Sequence, residues 1–489
     1  MMLLAILAAV FTRPMERVST MDAAMSRSVY DARAIQLVYE SPLSIDYLAR
    51  PYRLAPGYCS LPEVSADELV YSFECLRGPA RAVVDSLERL RDPKVVSPNA
   101  WIMKSVDTVS AVGERRLEIR LKERVHYFPW LMAMSPAAVR LADGSGTGAY
   151  RLDEWKRNHS MTFSLKDESL RSAGAFGKVK YLVVDDMSTQ WLMFLKGEID
   201  FLGEVSRDNW DAISAPDGGI DPKLRAAGVK LHSIPTLEVI YIGINMRDPV
   251  LGGNRALRQA LNAAFDYPEW ERFYASRILR SDGPVPPAVA GRLDAPFAYA
   301  YDLDKARRLL AEAGYPGGID PRTGRRLVLN LSIGRANQES REAGELLASF
   351  YEKVGIKLEL SFMTWDAFLK AVNEGRTQMY RMGWVGDYPD AQNFLQLFHS
   401  ANVSPGPNHS DYRNPEFDRE YALAMAARGE EERNRHWRRC QEIVREDCPW
   451  VFTHYNKAFS LVHKRVRNYI PSDFPYGNER HYRVDSEAK

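Results

Sequence analysis

The sequence predicts an α/β protein of two or three lobes, and three observations carry that prediction. Its 489 residues exceed what one small hydrophobic core organises. Residues 327–384 read as strand, helix, strand, helix, strand, the run that builds a parallel sheet. Residues 237–246, LEVIYIGINM, are nearly all apolar, as expected of a strand buried on both faces.

Composition narrows the class further. Hydrophobic residues make up 45% and charged residues 26%, which suits a globular chain rather than a disordered one. The net charge of +1 offers no basic excess for nucleic acid and no acidic tail. No stretch approaches the roughly 20 apolar residues that span a bilayer as a helix. Residues 1–11 form an apolar run of the length of a secretory signal core. It lacks a preceding Lys or Arg and a clear small-x-small site, so it reads either as a short buried helix or, as favoured here, as an abbreviated signal over 1–18. Four cysteines are too few for a disulfide scaffold. Cys440 and Cys448 would lie about 12 Å apart on one helix, too far to bridge unless Cys448 falls beyond the helix end. Cys59 and Cys75 either pair or stay free.

Taken in order, residues 20–45 are a loop followed by a helix with apolar Ala34, Ile35, Leu37 and Val38. Ser65 to Leu69 has the spacing of a helix start, with Ser65 capping and Glu68 three residues on. Residues 115–121 (RRLEIRL) alternate as a half-buried strand. The glycines of 144–155 (GSGTGAYRLDEW) end in no Gly-Lys-Ser/Thr, so they read as a tight crossing rather than a phosphate loop. Strands follow at 161–166 and 179–184, then a helix capped by Ser188 and ended by Gly197. Asn254 caps a helix with Leu257, Ala260, Leu261, Ala264 and Phe265 on one face. In 301–318 (YDLDKARRLLAEAGYPGG), Asp304 is the expected N-cap and Gly314 the stop. The strands and helices of 327–384 come next, with Gly355 closing the first helix and Thr364 capping the second. A charged amphipathic helix over 430–446 presents a solvated face, and 451–462 returns to strand.

Chemistry-bearing motifs are sparse. There is no His-Glu-x-x-His, Cys-x-x-Cys or Gly-x-Ser-x-Gly. His126, His159, His232 and His399 are scattered. The informative stretch is 381–398, RMGWVGDYPDAQNFLQLF, at the exit of the last strand of the β-α-β-α-β run. Ligands of open α/β sheets bind beyond the carboxyl ends of the strands. Asp387 and Pro389 are good turn residues, and a carboxylate beside aromatic rings also suits a primary ammonium group.

Several of these strings resemble one family. GWxxDYPDxxNFL at 383–395, the string at 301–318, Gly197-Glu198-Ile199-Asp200 and the crossing at 144–150 are similar to those of the family 5 extracellular solute-binding proteins, the peptide-binding proteins of ABC transporters. The likeness runs from about residue 20 to 465 and is weakest before 150. It implies a periplasmic binding protein type II-like α/β fold, with two large lobes and a smaller third one joined by a two-crossing hinge. Lobe I would take 19–45, 147–240 and 460–489; lobe II, 46–146; lobe III, 241–459. Lobe II reads as abbreviated, because a strand pair and a Phe-His-Asp-Gly segment of the family are missing.

The resemblance also carries function. It implies an exported, periplasmic or extracytoplasmic monomer without enzymatic activity, cofactor or metal, and without nucleic-acid binding. Its ligand would be a di- or oligopeptide, delivered to a membrane permease. Nickel, haem, glutathione or sugar are alternative solutes; a hydrolase on a similar fold and an abbreviated homologue that no longer transports are alternative fates. Asp387 matches the aspartate that pairs with the ligand ammonium. Gly383, Trp384 and Val385 match the strand beside the ligand backbone. Arg381 either serves the ligand carboxylate or is a structural cation, its spacing placing it opposite Trp384. Ser28 and Val29 lie either alongside the ligand or on a plain surface loop. Tyr388, Asn393 and Phe394 would hold the exit loop.

Overall fold

A computed structural model describes residues 9–203, 207–210, 212–214, 219–404, 406–474 and 476–485. The chain forms two compact units: unit 1 is Met1–Ile234 with Ala458–Lys489, and unit 2 is Pro235–Lys457. It therefore passes from one to the other twice. The stretches expected as lobes I and II fall in unit 1, except 235–240, which belong to unit 2.

Unit 1 opens with β1 (Val10–Met15). This segment was expected inside an exported leader, but it is a sheet strand with Phe11 fully buried. Residues 1–8 of that reading lie outside the described residues. Helix α1 (Val29–Val38) starts where Ser28 Oγ accepts the Asp31 N–H at 3.1 Å. Where a helix was expected to start at Ser65 there is a hairpin instead, made of β2 (Glu63–Val64) and β3 (Val70–Glu74). Glu68 sits at φ +57 in its turn, and Ser65 Oγ accepts from Val70 N. The competing signal was there: Tyr71, Phe73 and Cys75 are the buried residues, a period of two. Helix α2 (Ala80–Arg91) and strands β4 (Val106–Val112) and β5 (Arg116–Leu121) complete a sheet of order β2-β3-β5-β4.

Strands β6 (Tyr150–Lys156), β7 (Ser160–Leu165) and β8 (Lys178–Val183) join β1 in the order β1-β8-β7-β6, with β1 parallel to β8. Helix α3 (Met187–Leu195) is capped by Asp186, whose carboxylate takes the Thr189 N–H, not by Ser188. Two nearby Asp and Ser positions compete for such a cap, and the carboxylate is the stronger acceptor. Gly197 ends the helix at φ +71. Short β9 (Phe201–Leu202) follows, and then β10 (Lys230–Ile244), which leads into unit 2.

Unit 2 takes the chain through α4 (Arg255–Ala263), capped by Asn254, then α5 (Tyr267–Phe273) and β11 (Ile278–Arg280). Helix α6 (Leu303–Glu312) is capped by Asp302, two residues before the expected Asp304, which pairs instead with Arg307. The alternating run is β12 (Val328–Ile333), α7 (Gln338–Glu352), β13 (Lys357–Phe362), α8 (Trp365–Asn373) and β14 (Met379–Val385). Helices α9 (Ala391–Leu395), α10 (Pro415–Ala426) and α11 (Glu430–Asp447) precede β15 (Trp450–Val462). One face of α11 is covered, with Trp437, Cys440 and Val444 buried, and Cys448 turns left-handed at its end. The sheet order is β9-β15-β10-β14-β12-β13, with β11 also on β15. Parallel pairing of β12 with β13 and with β14 is what right-handed β-α-β crossovers require. The unit's core is aliphatic and aromatic, from Ile242 and Leu261 through Trp270 to Leu347 and Phe350.

Candidate functional site

The carboxyl end of β14 is the centre of the site in unit 2. Along one side β14 pairs antiparallel with β10 as far as Val385↔Glu238. Along the other, its parallel pairing with β12 stops at Ile333↔Arg381. The Gly386 N–H reaches Leu237 O at 2.8 Å, which makes Val385/Glu238 and Ile240/Gly383 non-hydrogen-bonded pairs. Backbone groups of such residues point away from the partner strand. Gly383 and Val385 thus turn their N–H and C=O toward an edge that, among the described residues, no strand covers. Both are exposed, Val385 at 64%. An open edge of this kind is a template for an added extended chain.

Asp387 follows two residues beyond that edge. Water reaches it, yet protein surrounds most of it, and this crowding pushes its carboxyl above the ordinary carboxylate value. The Asn393 side chain opposes part of that shift. Surface contact and crowding differ here because a recessed group can touch water through one opening while losing most of its hydration elsewhere. Among the described residues no cation pairs with Asp387, so it is a poorly solvated carboxylate with a place for a donor.

The loop holding it is fixed from below. Asn393 Oδ1 accepts from Trp384 Nε1 at 2.9 Å and from Asp387 N at 3.3 Å. Tyr388 is buried and donates to Gln392 Oε1, and Asp390 caps α9. Gly386 is required by space: a Cβ there would meet the buried Phe394 ring at 2.7 Å. Trp384 therefore braces the loop.

Arg381 shares the face of Gly383 and Val385 by strand alternation. Its Nη2 donates to Tyr274 OH at 2.8 Å, and the guanidinium lies 5.7 Å from the Trp270 ring centre. Its buried Nε has no hydrogen-bond partner. Neighbouring His454 is held neutral, pushed well down by burial and by the Arg381 charge. Among the described residues no carboxylate forms an ion pair with Arg381. Unit 2 thus carries a lone carboxylate and a lone guanidinium at the two ends of one open strand edge.

Ser28 and Val29 belong to unit 1. Ser28 is the α1 cap, so its hydroxyl is committed to the helix. Burial alone would raise the Asp31 carboxyl next to it, but the N–H groups of Ser19, Arg27 and Thr20 and the Ser19 hydroxyl hold it below its ordinary value. These bonds fix the loop before α1. Val29, 47% exposed, lines a cavity of about 670 Å³ that lies wholly within unit 1. Arg13 of β1, Arg33 of α1, Phe201 and Tyr469 line it too. Sequence reading missed Arg13 and Arg33, because nothing in their spacing joins a strand residue to a helix residue twenty positions later.

The scattered histidines do not converge. His159 Nδ1 contacts Ser160, His232 stands edge-on to Tyr469, and His399 tilts against Tyr421. Among the described residues no group of three or more His, Cys, Asp or Glu is placed to hold a metal ion, and no helix is long and apolar enough to cross a membrane.

Comparison with known proteins supplies the lineage. Haem-binding protein A of Haemophilus influenzae is 27% identical over 346 residues, 70% of this chain and 60% of that protein. The dipeptide-binding protein of Escherichia coli K12 is 23% identical over 83% of this chain and 76% of its own length. Among solved structures, HbpA2 from Haemophilus parasuis superposes with a TM-score of 0.86 at 20% identity, over 97% of this chain and 100% of that one. At that identity the superposition speaks for the fold, which is the expected α/β type II-like one. The model of the bacterial extracellular solute-binding proteins, family 5, middle region, matches residues 79–405. The chain belongs to the bacterial extracellular solute-binding proteins of family 5.

Proposed function

We propose that this protein is an extracytoplasmic receptor that captures peptides and hands them to an ABC-type permease in the membrane, without chemical turnover. The observation that carries the reading is the open edge of β14 at Gly383 and Val385, next to the unpaired Asp387. A peptide laid along that edge makes main-chain hydrogen bonds that do not depend on its sequence, and its α-ammonium meets Asp387. Trp384 and Asn393 hold the carboxylate in place. Arg381 answers a ligand carboxylate. In unit 1, Val29 contributes to the cavity wall and Ser28 positions it. The name of the Escherichia coli dipeptide-binding relative agrees with peptides as the ligand class.

Calorimetry with a mixture of di- to tetrapeptides tests the reading. Saturable binding near one peptide per chain is expected, with the peptides recovered intact by mass spectrometry. Asp387→Ala should cost about 2 kcal/mol, the lower end for truncating one member of a charge pair, because water reaches this site. Unchanged affinity in that variant, or cleaved peptides, would count against it. A second reading follows the name of the Haemophilus influenzae relative: a haem ligand would reveal itself as a saturable shift of the haemin absorption band.

A further inference from the structure

Cys59 and Cys75 meet where the sheet β2-β3-β5-β4 adjoins the segment that follows α1. Ser60 N donates to Glu74 O at 2.8 Å, and Leu76 N to Tyr58 O at 2.9 Å. The two cysteines between these bonds are therefore a non-hydrogen-bonded antiparallel pair. At such pairs the Cα atoms approach to about 4.5 Å, inside the range a disulfide spans. The sulfurs lie 3.2 Å apart, and both residues are fully buried. Closing that gap to the roughly 2.05 Å of an S–S bond asks for side-chain adjustment and no backbone movement.

Each cysteine is anchored to a different piece of chain. Cys59 N donates to Pro42 O at 2.9 Å, and Tyr58 N to Ser41 O at 2.9 Å. Gly57 lets the two segments lie this close, since a Cβ there would meet Ser41 O at 2.5 Å. On the other side, Cys75 N donates to Arg115 O at 2.7 Å, and Arg115 Nη1 donates to Cys75 O at 3.2 Å. Arg115 directly precedes β5, so Cys75 is held by the small sheet. The outer strand of that sheet, β2, has only two residues and offers few backbone bonds of its own. The remaining cysteines belong to unit 2 and are turned to carbonyls, Cys440 Sγ to Phe417 O at 3.8 Å and Cys448 Sγ to Arg445 O at 3.1 Å.

We propose that Cys59 and Cys75 are a modification site, oxidised to a disulfide as unit 1 folds, and that this bond clamps the small sheet to the segment after α1. Oxidation in the cell needs an oxidising compartment, and only that clause rests on the extracytoplasmic reading. The step is thiol–disulfide exchange with a small disulfide. One cysteine loses its proton, attacks the oxidant and displaces its first thiol. The second cysteine loses its proton, attacks the mixed disulfide at the first cysteine and displaces the other thiol. Two electrons and two protons leave with the oxidant as two thiols. Full burial places this step before the sheet closes.

The full chain, refolded with oxidised and reduced glutathione, tests the pairing. It is denatured again without reductant, alkylated and peptide-mapped. A cross-linked Cys59/Cys75 peptide is expected, with alkylation at Cys440 and Cys448 alone. Four alkylated cysteines, or a disulfide that takes Cys440 or Cys448 in place of this pair, would overturn it. The clamp has its own readout. A chain reduced before refolding should melt about 5 °C below the oxidised one, and the Ser60 and Leu76 amides should exchange faster. Reductant should not move Tm in the double variant Cys59→Ala/Cys75→Ala. Equal Tm and equal exchange in the two forms of the unmodified chain, or a reductant shift that persists in the variant, would overturn the clamp. Protein taken from its own cells under acid quench should already carry the bond. Four free thiols there, with pairing intact on refolding, would overturn the oxidising-compartment clause and count against the extracytoplasmic reading. Failure to bind any peptide would remove the receptor reading and leave the disulfide standing.

Discussion

Asp387 shows how a residue's chemistry follows from its surroundings. Its carboxyl is raised because protein crowds it and only the Asn393 side chain compensates. An ammonium ligand would favour the ionised form and lower that pKa in the complex. Affinity should therefore be full above the raised pKa of the free protein and fall as pH drops through it, earlier than for an ordinary aspartate near 3.9. Asp387→Asn should lose this acid limb, and calorimetry across pH 4–7 would show whether it does. The sequence singled the residue out but left a turn and a ligand carboxylate open, since both use the same letters; only the family string favoured the ligand role proposed here. Arg13 was not singled out, because the cavity wall it shares with Arg33 joins residues that chain distance separates.

His481 carries a pH effect of another kind. It is stacked on Tyr47 with ring centres 4.5 Å apart, and burial with the charges of Arg480 and Arg483 pushes it down to about 3. The unfolded chain, with an ordinary value near 6.5, binds the proton first. This group therefore withdraws stability as pH falls below about 6.5, down to about 3. Replacing it in His481→Phe should flatten that part of the Tm-against-pH curve relative to the unmodified protein.

At the scale of elements, the most informative piece is the β10–β14 pair. Gly243 faces Tyr380 across it, and a Cβ there would meet the ring at 2.2 Å. Tyr380 is fully buried with its hydroxyl 2.9 Å from Ser410 Oγ, so it has little room to retreat. Gly243→Ala should destabilise the protein by about 1–3 kcal/mol in chemical denaturation, as overpacked cores do. The β-α-β-α-β run around β14 was legible because periodicity, caps and glycine stops agreed over sixty residues. The hairpin at 63–74 was misread because Ser65 and Glu68 imitate a capping box over a span too short for periodicity to decide. The caps at Asp186 and Asp302 each lie two residues before the expected ones for a similar reason: neighbouring Ser188 and Asp304 offer alternative acceptors, and tertiary packing selects one. No sequence pattern announced that β12 stops short of β14, which is what opens the edge.

For the whole molecule, the family resemblance implied a chain that crosses twice between lobes, and the chain passes between the two units twice. The cavity in unit 1 stayed hidden, since its walls come from segments scattered between Arg13 and Tyr482. A receptor that binds only when folded should gain stability by mass action. At a peptide concentration of about 100 times Kd the gain is about 2.7 kcal/mol, and Tm should rise by several degrees. A thermal-shift screen that moves with no peptide would speak against the assignment. The most direct single measurement compares one tripeptide with its N-acetylated form on the unmodified protein by calorimetry. If the unpaired carboxylate beside the open edge grips an ammonium, acetylation weakens binding by about 30-fold or more, the equivalent of about 2 kcal/mol; equal affinities for the two would contradict it.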